Sequence, residues 1–144
     1  MLPEDDVAYQ NKKLHNFKFH IPTKEQCVEL IKYTNNYWVN NYDPNKIKHN
    51  SKDDGGIQGL NGRVFVGKNK NQLFIPAAGF CYSSIKHWDW GGSKCFMWSS
   101  SLNLDVPRRA CYLYFDSDDI GVYKDVRCGA MVIRPVIKFI NLIK

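Results

Sequence analysis

Apolar and polar residues alternate in the C-terminal half of the chain, a pattern typical of strands with one buried face. Segment 111–116 reads CYLYFD and segment 120–123 reads IGVY, and a short Ser-Asp-Asp turn separates them. Because the side chains of a strand alternate between the two faces of its sheet, one set is predicted to face the core and the other to face solvent. The inward set is Cys111, Leu113, Phe115, Ile120 and Val122, and the outward set is Tyr112, Tyr114, Asp116, Gly121 and Tyr123.

Further short strands are predicted before and after this hairpin. Segments 63–66 and 72–75 flank a Gly-Lys-Asn-Lys-Asn turn and predict a second hairpin. Three more strands are predicted at 15–21, 96–98 and 131–136, and loops at 35–56 (with a short strand or helical turn), 79–94 and 99–107. Four glycines are interpreted as turns rather than a phosphate loop, because the Lys-Ser/Thr ending and the following helix are missing: Gly55, Gly56, Gly59 and Gly62.

One helix is predicted, and it begins after Pro22. Thr23 and Gln26 have the T-x-x-Q spacing of a capping box, and an apolar stripe follows at Cys27, Leu30 and Ile31. The helix is expected to end near residues 34–36. One or two helices with short antiparallel strands and long loops predict an α+β fold. The 144 residues suit a single domain, 1–144, with residues 1–14 loosely ordered.

Charge gives little support for a nucleic-acid partner. The formal net charge is +6, but it divides evenly, with +3 in residues 1–75 and +3 in residues 76–144. No basic stripe marks a nucleic-acid surface, so nucleic acid is disfavoured as a partner. The N-terminal segment is polar and acidic, unlike a signal peptide, and no apolar stretch is long enough to cross a membrane. No membrane insertion is expected.

Catalytic and metal-binding patterns are weak. The five cysteines, Cys27, Cys81, Cys95, Cys111 and Cys128, are odd in number and match no zinc spacing. A framework of several disulfides is not expected, and a single disulfide bridge is left as an alternative. The four histidines lack metal-ligand spacing, and the Asp116–Asp119 segment is better interpreted as a turn than as a cation site. The sequence therefore predicts no catalytic residue, no metal and no cofactor.

Four sequence blocks then indicate a family. They are FIPAAGF (74–80), WSSSLNLDVPRRA (98–110), LYF (113–115) and RCGAMVIRPV (127–136), and they occur in that order. Together they resemble the variable proteins of diversity-generating retroelements, and related bacterial domains with a C-type lectin-like fold of the formylglycine-generating-enzyme type. Segment 21–31, IPTKEQCVELI, resembles the helix opening of that family. The resemblance covers about residues 15–136.

The resemblance implies a C-type lectin-like fold and a ligand-binding role. In such proteins a reverse transcriptase copies a template with adenine-directed errors into the 3′ end of the gene, so that surface positions vary while the scaffold stays fixed. The scaffold residues implied here are Phe74, Trp98, Leu113, Phe115, Ile133 and Val136. The implied variable ligand contacts, within residues 80–136, are Tyr82, His87, Asp89, Trp90, Lys94, Cys95, Phe96, Leu104, Val106, Arg108, Arg109, Tyr112, Tyr114, Asp116, Gly121, Tyr123, Lys124, Asp125, Val126, Cys128 and Gly129.

The implied partner is a macromolecule, a protein or a glycan on a cell surface, with the domain displayed on a phage particle or a cell. Calcium-dependent sugar binding is disfavoured, because the E-P-N, Q-P-D and W-N-D motifs that supply oxygen ligands are missing. The copper-binding cysteine motif of formylglycine-generating enzymes is missing as well. The alternative is a fixed structural or adhesin module without diversification. The oligomeric state stays open, a homo-oligomer included.

Overall fold

The computed structural model describes residues 19–42, 60–81 and 88–137. Within them the chain forms one helix and eleven short strands, an α+β arrangement of small antiparallel sheets. The elements are β1 (Phe19–His20), α1 (Lys24–Tyr33), β2 (Asn35–Tyr42), β3 (Leu60–Val66), β4 (Gln72–Pro76), β5 (Phe80–Cys81), β6 (Trp88–Asp89), β7 (Cys95–Leu102), β8 (Arg109–Phe115), β9 (Ile120–Val126), β10 (Ala130–Met131) and β11 (Val136–Ile137).

Helix α1 begins and ends as its sequence predicts. The Gln26 backbone N–H donates to the Thr23 hydroxyl at 3.3 Å, and the Thr23 backbone N–H donates to the Gln26 side chain at 2.9 Å, which completes the capping box. Thr34 is the C-cap. Cys27 is buried, and Leu30 and Ile31 pack against the core beside it. The apolar stripe therefore docks the helix onto the sheets.

Two three-stranded antiparallel sheets form most of the structure. One has the order β2-β3-β4, with β3 and β4 joined by the predicted 67–71 turn, and the other has the order β7-β8-β9. Their inward side chains meet α1 in one core of Cys27, Phe65, Ile75, Cys95, Met97, Leu113 and Phe115. Both predicted hairpins are confirmed. The β8–β9 hairpin turns one apolar face to this core, whereas β3 is buried at consecutive positions, including Arg63, Val64 and Phe65.

The remaining strands are short and join distant parts of the chain. β1 pairs with β11, and β5 pairs with both β6 and β10, all antiparallel. Parallel bridges connect Gly79 to Cys95 and Met97 to Val132 along the free edge of β7. Two parts of the chain are thus anchored to the β7-β8-β9 sheet. One is the segment between the two predicted hairpins, and the other is the C-terminal segment after β9.

Several predicted loops and strands are wrong in their bounds. Residues 35–42, predicted as loop with a short strand or helical turn, form an eight-residue strand because they pair with β3, and Trp38 packs edge-on against Phe115 with ring centroids 6.5 Å apart. The strand predicted at 96–98 continues to Leu102, and within it the buried Ser99 hydroxyl donates to the Cys111 carbonyl at 2.8 Å. Pairing with distant strands, rather than the local polarity of the sequence, therefore determines the bounds of these strands.

The predicted strand at 131–136 is replaced by two separate two-residue strands with different partners. Ile133, between them, is 38% exposed and is not a core residue, which corrects its assignment to the scaffold. Gly62 lies inside β3 rather than in a turn, and a Cβ there would lie 2.3 Å from the Ile75 carbonyl oxygen. The glycine therefore permits close strand approach. Gly55, Gly56 and Gly59, and the predicted strand residues 15–18, lie outside the described residues.

Candidate binding surface on the C-terminal sheet

The two faces of the β7-β8-β9 sheet differ sharply in burial. Leu113 and Phe115 of β8 are fully buried, whereas Tyr112 and Tyr114, which alternate with them, are half-buried on the opposite face. On β9, Tyr123 is 44% exposed. The predicted inward and outward faces of this hairpin are confirmed, because one face meets the core and the other meets solvent.

Aromatic side chains cover the outward face as one connected set, here called the aromatic surface. It comprises Phe80, Trp90, Phe96, Trp98, Tyr112, Tyr114 and Tyr123, and each ring lies within 6.2 Å, centroid to centroid, of at least one other. Strand register explains the set, since Phe96 is paired with Tyr114, and Tyr112 is paired with both Trp98 and Tyr123. Such cross-strand aromatic pairs stabilise a sheet while leaving ring faces accessible.

Gly121 makes room for one of these rings. It is the cross-strand partner of Tyr114, and a Cβ at this position would lie 2.8 Å from the Tyr123 ring. Without that Cβ, the Tyr123 ring lies over Gly121 and meets the edge of Tyr114 at 5.7 Å between centroids. The outward glycine is therefore part of the surface's shape.

The turn between β8 and β9 fixes two tyrosine hydroxyls. The Tyr114 hydroxyl donates to the Asp116 carboxylate, and the Tyr123 hydroxyl donates to Asp119 at 2.9 Å. Asp116 also accepts the backbone N–H groups of Asp118 and Asp119, at 2.9 and 2.8 Å. The Tyr114 hydrogen bond, followed by these backbone bonds, lowers the pKa of Asp116, while burial and then the Asp116 bond raise the pKa of Tyr114.

Arg63 supports this turn from the core side. It is 7% exposed, and its Nη2 donates to the Asp116 carbonyl at 2.8 Å, while Nη1 donates to the Asn36 side chain at 2.8 Å. Burial lowers the pKa of Arg63, and the carboxylates of Asp116, Asp119 and Asp118 oppose that shift. The sequence reasoning missed this residue, although an arginine inside an apolar strand pattern was a signal.

Lys94, the residue before β7, lies against two rings of the aromatic surface. Its Nζ is 5.3 Å from the Trp90 ring centroid and 5.9 Å from that of Tyr114. Trp90 is 49% exposed and adopts a positive φ of 57°, which is strained for a bulky residue. Its carbonyl accepts the backbone N–H groups of Ser93 and Lys94 at 3.1 and 3.0 Å, so the loop conformation is well determined.

The predicted ligand contacts are placed on more than one surface. Those that lie on the aromatic surface are Trp90, Phe96, Tyr112, Tyr114 and Tyr123, with Lys94, Asp116 and Gly121 beside them. Leu104, Val106 and Arg108 lie in the loop between β7 and β8, where Leu104 is 90% exposed. Asp89 is exposed and is the cross-strand partner of Phe80, Cys128 is exposed in the turn after β9, and Tyr82 and His87 lie outside the described residues.

Some predicted contacts are wrong. Cys95 is completely buried because it begins the inward register of β7, and Gly129 is buried where its carbonyl accepts the Trp98 indole N–H. Lys124 and Val126 are paired with Cys111 and Arg109 across the sheet. Because paired residues share a face, these positions alternate with Tyr112, Tyr123 and Asp125 and lie on the side opposite the aromatic surface. They are not excluded as contacts, since Lys124 is exposed and Val126 is partly buried.

The cysteines offer no reactive thiolate on this surface. All five are free; Cys27, Cys81, Cys95 and Cys111 are buried and Cys128 is exposed. Burial raises the pKa of Cys27 to about 11 and that of Cys95 to about 12. Among the residues that the structure describes, no three His, Cys, Asp or Glu side chains are grouped as metal ligands. In the same residues, no helix has the length and apolarity needed to cross a membrane.

The aromatic surface can therefore bind a ligand through its rings, the neighbouring carboxylates and the Lys94 ammonium group, while the inward face of the sheet packs in the core. No protein family, curated protein or solved structure matches this chain.

Proposed function

We propose that this protein is a ligand-binding domain with a C-type lectin-like fold, and that it recognises a protein or glycan on a cell surface through the aromatic surface. The observation that carries the proposal is the contrast on strand β8, where fully buried Leu113 and Phe115 alternate with solvent-facing Tyr112 and Tyr114. An accessible, connected set of aromatic rings exceeds what a solvent-facing sheet needs for its own stability.

Tyrosine and tryptophan suit recognition for a physical reason. Each offers a large, rigid apolar area together with a polar edge, at a small cost in side-chain entropy. Hot spots at protein interfaces are enriched in these residues for the same reason. Aromatic rings also pack against the C–H faces of sugars, so the same side chains are suited to binding a glycan. Trp90 and Tyr123, each nearly half exposed, are the anchors in this proposal.

The proposal includes diversification by a retroelement. Outward positions such as Tyr112, Tyr114 and Tyr123 contribute little to the core, so their exchange changes recognition more than folding. Tyrosine codons also arise from asparagine codons by a change of one adenine. The fixed alternative, a structural or adhesin module, is favoured by one observation: the Tyr114–Asp116 and Tyr123–Asp119 hydrogen bonds form matched pairs, as in a surface conserved as a unit.

Binding is tested with the fluorescently labelled domain on intact cells, before and after treatment with protease or periodate. We expect loss of binding after one treatment, which identifies a protein or a glycan. We also expect the double variant Tyr123→Ser/Trp90→Ser, which removes both anchors, to lose most of the binding. Lys68→Ser, in the exposed turn of the other sheet, is the matched control. Equal binding by the double variant and the wild type would exclude the aromatic surface as the contact.

Diversification is tested by sequencing the locus. We expect a template repeat beside a reverse-transcriptase gene, with adenines at the first codon positions that match Tyr112, Tyr114 and Tyr123. A locus with neither feature would reject diversification and leave the fixed adhesin module, and it would not affect the binding test.

A further inference from the structure

One part of the aromatic surface already surrounds a positive charge. The ammonium group of Lys94 lies 5.3 Å from the Trp90 ring centroid and 5.9 Å from that of Tyr114, both within the range of a cation–π interaction. Phe96 lies between these two rings, at 6.0 and 5.2 Å between centroids. Two rings thus contact the ammonium group, and Phe96 connects them as a third ring.

The oxygen atoms next to these rings offer a ligand hydrogen-bond acceptors and no free donor. The Tyr114 hydroxyl proton is used in its bond to Asp116, and the Tyr123 hydroxyl proton is used in its bond to Asp119. What these groups offer outward is oxygen lone pairs and carboxylate charge. The positive charge of Lys94 contributes to the lowered pKa of Asp116, after the hydrogen bonds that Asp116 accepts, so the two groups interact electrostatically. This end of the surface is therefore complementary to a cation.

The protein also positions the principal ring in advance. Trp90 keeps a left-handed backbone conformation, with φ 57°, which is unfavourable for a bulky residue. It is stacked on Phe80, with an interplanar angle of 13° and centroids 5.2 Å apart, so Phe80 supports one face of the ring, and Trp90 is still 49% exposed. Strain of this kind persists at ligand-binding sites because a fixed ring geometry lowers the entropy cost of binding.

We propose that Trp90, Phe96 and Tyr114, with Asp116 at their edge, form a site for a quaternary ammonium group of the choline type, which Lys94 occupies in the free protein. This inference rests on the proposed function and specifies the chemistry of one ligand group. A quaternary ammonium ion spreads its charge over methyl groups, and it needs no hydrogen bonds when it leaves water. Lys94 carries a compact, strongly hydrated charge and is the weaker occupant of an aromatic site.

The test is a titration of the 15N-labelled domain with choline chloride at constant ionic strength, followed by the tryptophan indole N–H signals. Lys94→Ala vacates the site and removes a like charge, so we expect it to bind choline about tenfold more tightly than the wild type does. Lys124→Ala, which removes a lysine from the opposite face of the sheet, is the matched control and is expected to match the wild type. In the Lys94→Ala background, Trp90→Leu and Tyr114→Leu should each weaken choline binding, and retained chemical-shift dispersion verifies their folding.

A neutral isostere separates charge from shape. 3,3-Dimethylbutan-1-ol has the form of choline without its charge, and it is expected to bind the Lys94→Ala variant at least about fivefold more weakly. The proposal is overturned if choline binds this variant no better than the wild type, or if the isostere binds it as well as choline does. Either result leaves the cell-binding test unaffected, whereas failure of Tyr123→Ser/Trp90→Ser to reduce cell binding rejects the proposed function even if choline binds.

Discussion

Leu113 and Tyr123 lie on opposite faces of the same sheet, and truncating each to alanine is expected to affect stability very differently. The Leu113 side chain is completely buried in the core, whereas Tyr123 is 44% exposed. Leu113→Ala removes three buried carbon groups worth about 0.8 kcal/mol each, and it leaves a cavity. We expect its free energy of unfolding to fall by about 3 kcal/mol.

Tyr123→Ala removes cross-strand contacts with Tyr112 and Tyr114 and one exposed hydrogen bond to Asp119. Cross-strand aromatic pairs contribute about 0.2–1 kcal/mol each, and part of that is recovered when water contacts the freed surface. The expected loss is therefore about 1 kcal/mol or less. The two variants should differ by a factor of about three in their effect on the free energy of unfolding.

Urea denaturation followed by tryptophan fluorescence measures both losses, and thermal unfolding gives an independent value. For a domain of this size, Leu113→Ala should lower Tm by about 10 °C and Tyr123→Ala by about 3 °C. Val122→Ala, on the inward face next to Tyr123, is the matched control and should lie between them. If Tyr123→Ala costs as much as Leu113→Ala, the outward face is part of the core, and the reasoning that its residues are exchangeable is wrong.

Three further outcomes are expected. Ellman's reagent should modify Cys128 alone in the native protein and all five cysteines in denaturant, since the other four are buried; rapid reaction of two or more native thiols would contradict that burial. Burial in the folded state raises the thiol pKa of Cys27 to about 11 and that of Cys95 to about 12, above the unfolded value of about 8.5. Their contribution to the free energy of unfolding is therefore complete below about pH 8.5 and decreases above it. Urea midpoints at pH 7.5 and 10 measure this decrease, and the Cys95→Val variant should show a smaller decrease than the wild type. Trp90→Gly should be about 1 kcal/mol more stable than Trp90→Ala, because only glycine relieves the positive φ; equal stability in thermal unfolding would show that the backbone there is unstrained.

Periodicity predicted those elements whose partners lie nearby in sequence. Helix α1 follows from a capping box and a stripe within a dozen residues, and the β8–β9 hairpin follows from alternation on both sides of a short turn. The same alternation, applied strictly, would also have placed Lys124 and Val126 on the core side with Val122. Their assignment as ligand contacts came from the family resemblance, and the strand period places them on the face opposite the aromatic surface.

What the sequence could not predict depends on distant contacts. For residues 35–42 the sequence left loop, a short strand and a helical turn as alternatives, and pairing with β3 determines their conformation. The Lys94 contact with Trp90 depends on a positive φ that no residue type at that position suggests. Arg63 finds its carbonyl partners more than fifty residues later in the chain. In each case local propensity is neutral or misleading, and tertiary structure decides.

The way Arg63 contacts the acidic turn explains how a surface can change while its support stays constant. Its guanidinium donates to main-chain oxygens of the turn, at 2.8 Å to Asp116 and 3.4 Å to both Ser117 and Asp119. Every residue type supplies a backbone carbonyl, so these bonds persist whatever side chains the turn carries. The tyrosine hydroxyls, by contrast, bind carboxylates of the turn, and those contacts change when either residue changes. Interior support therefore depends on the backbone, and recognition depends on side chains, which is the separation that an exchangeable binding surface requires.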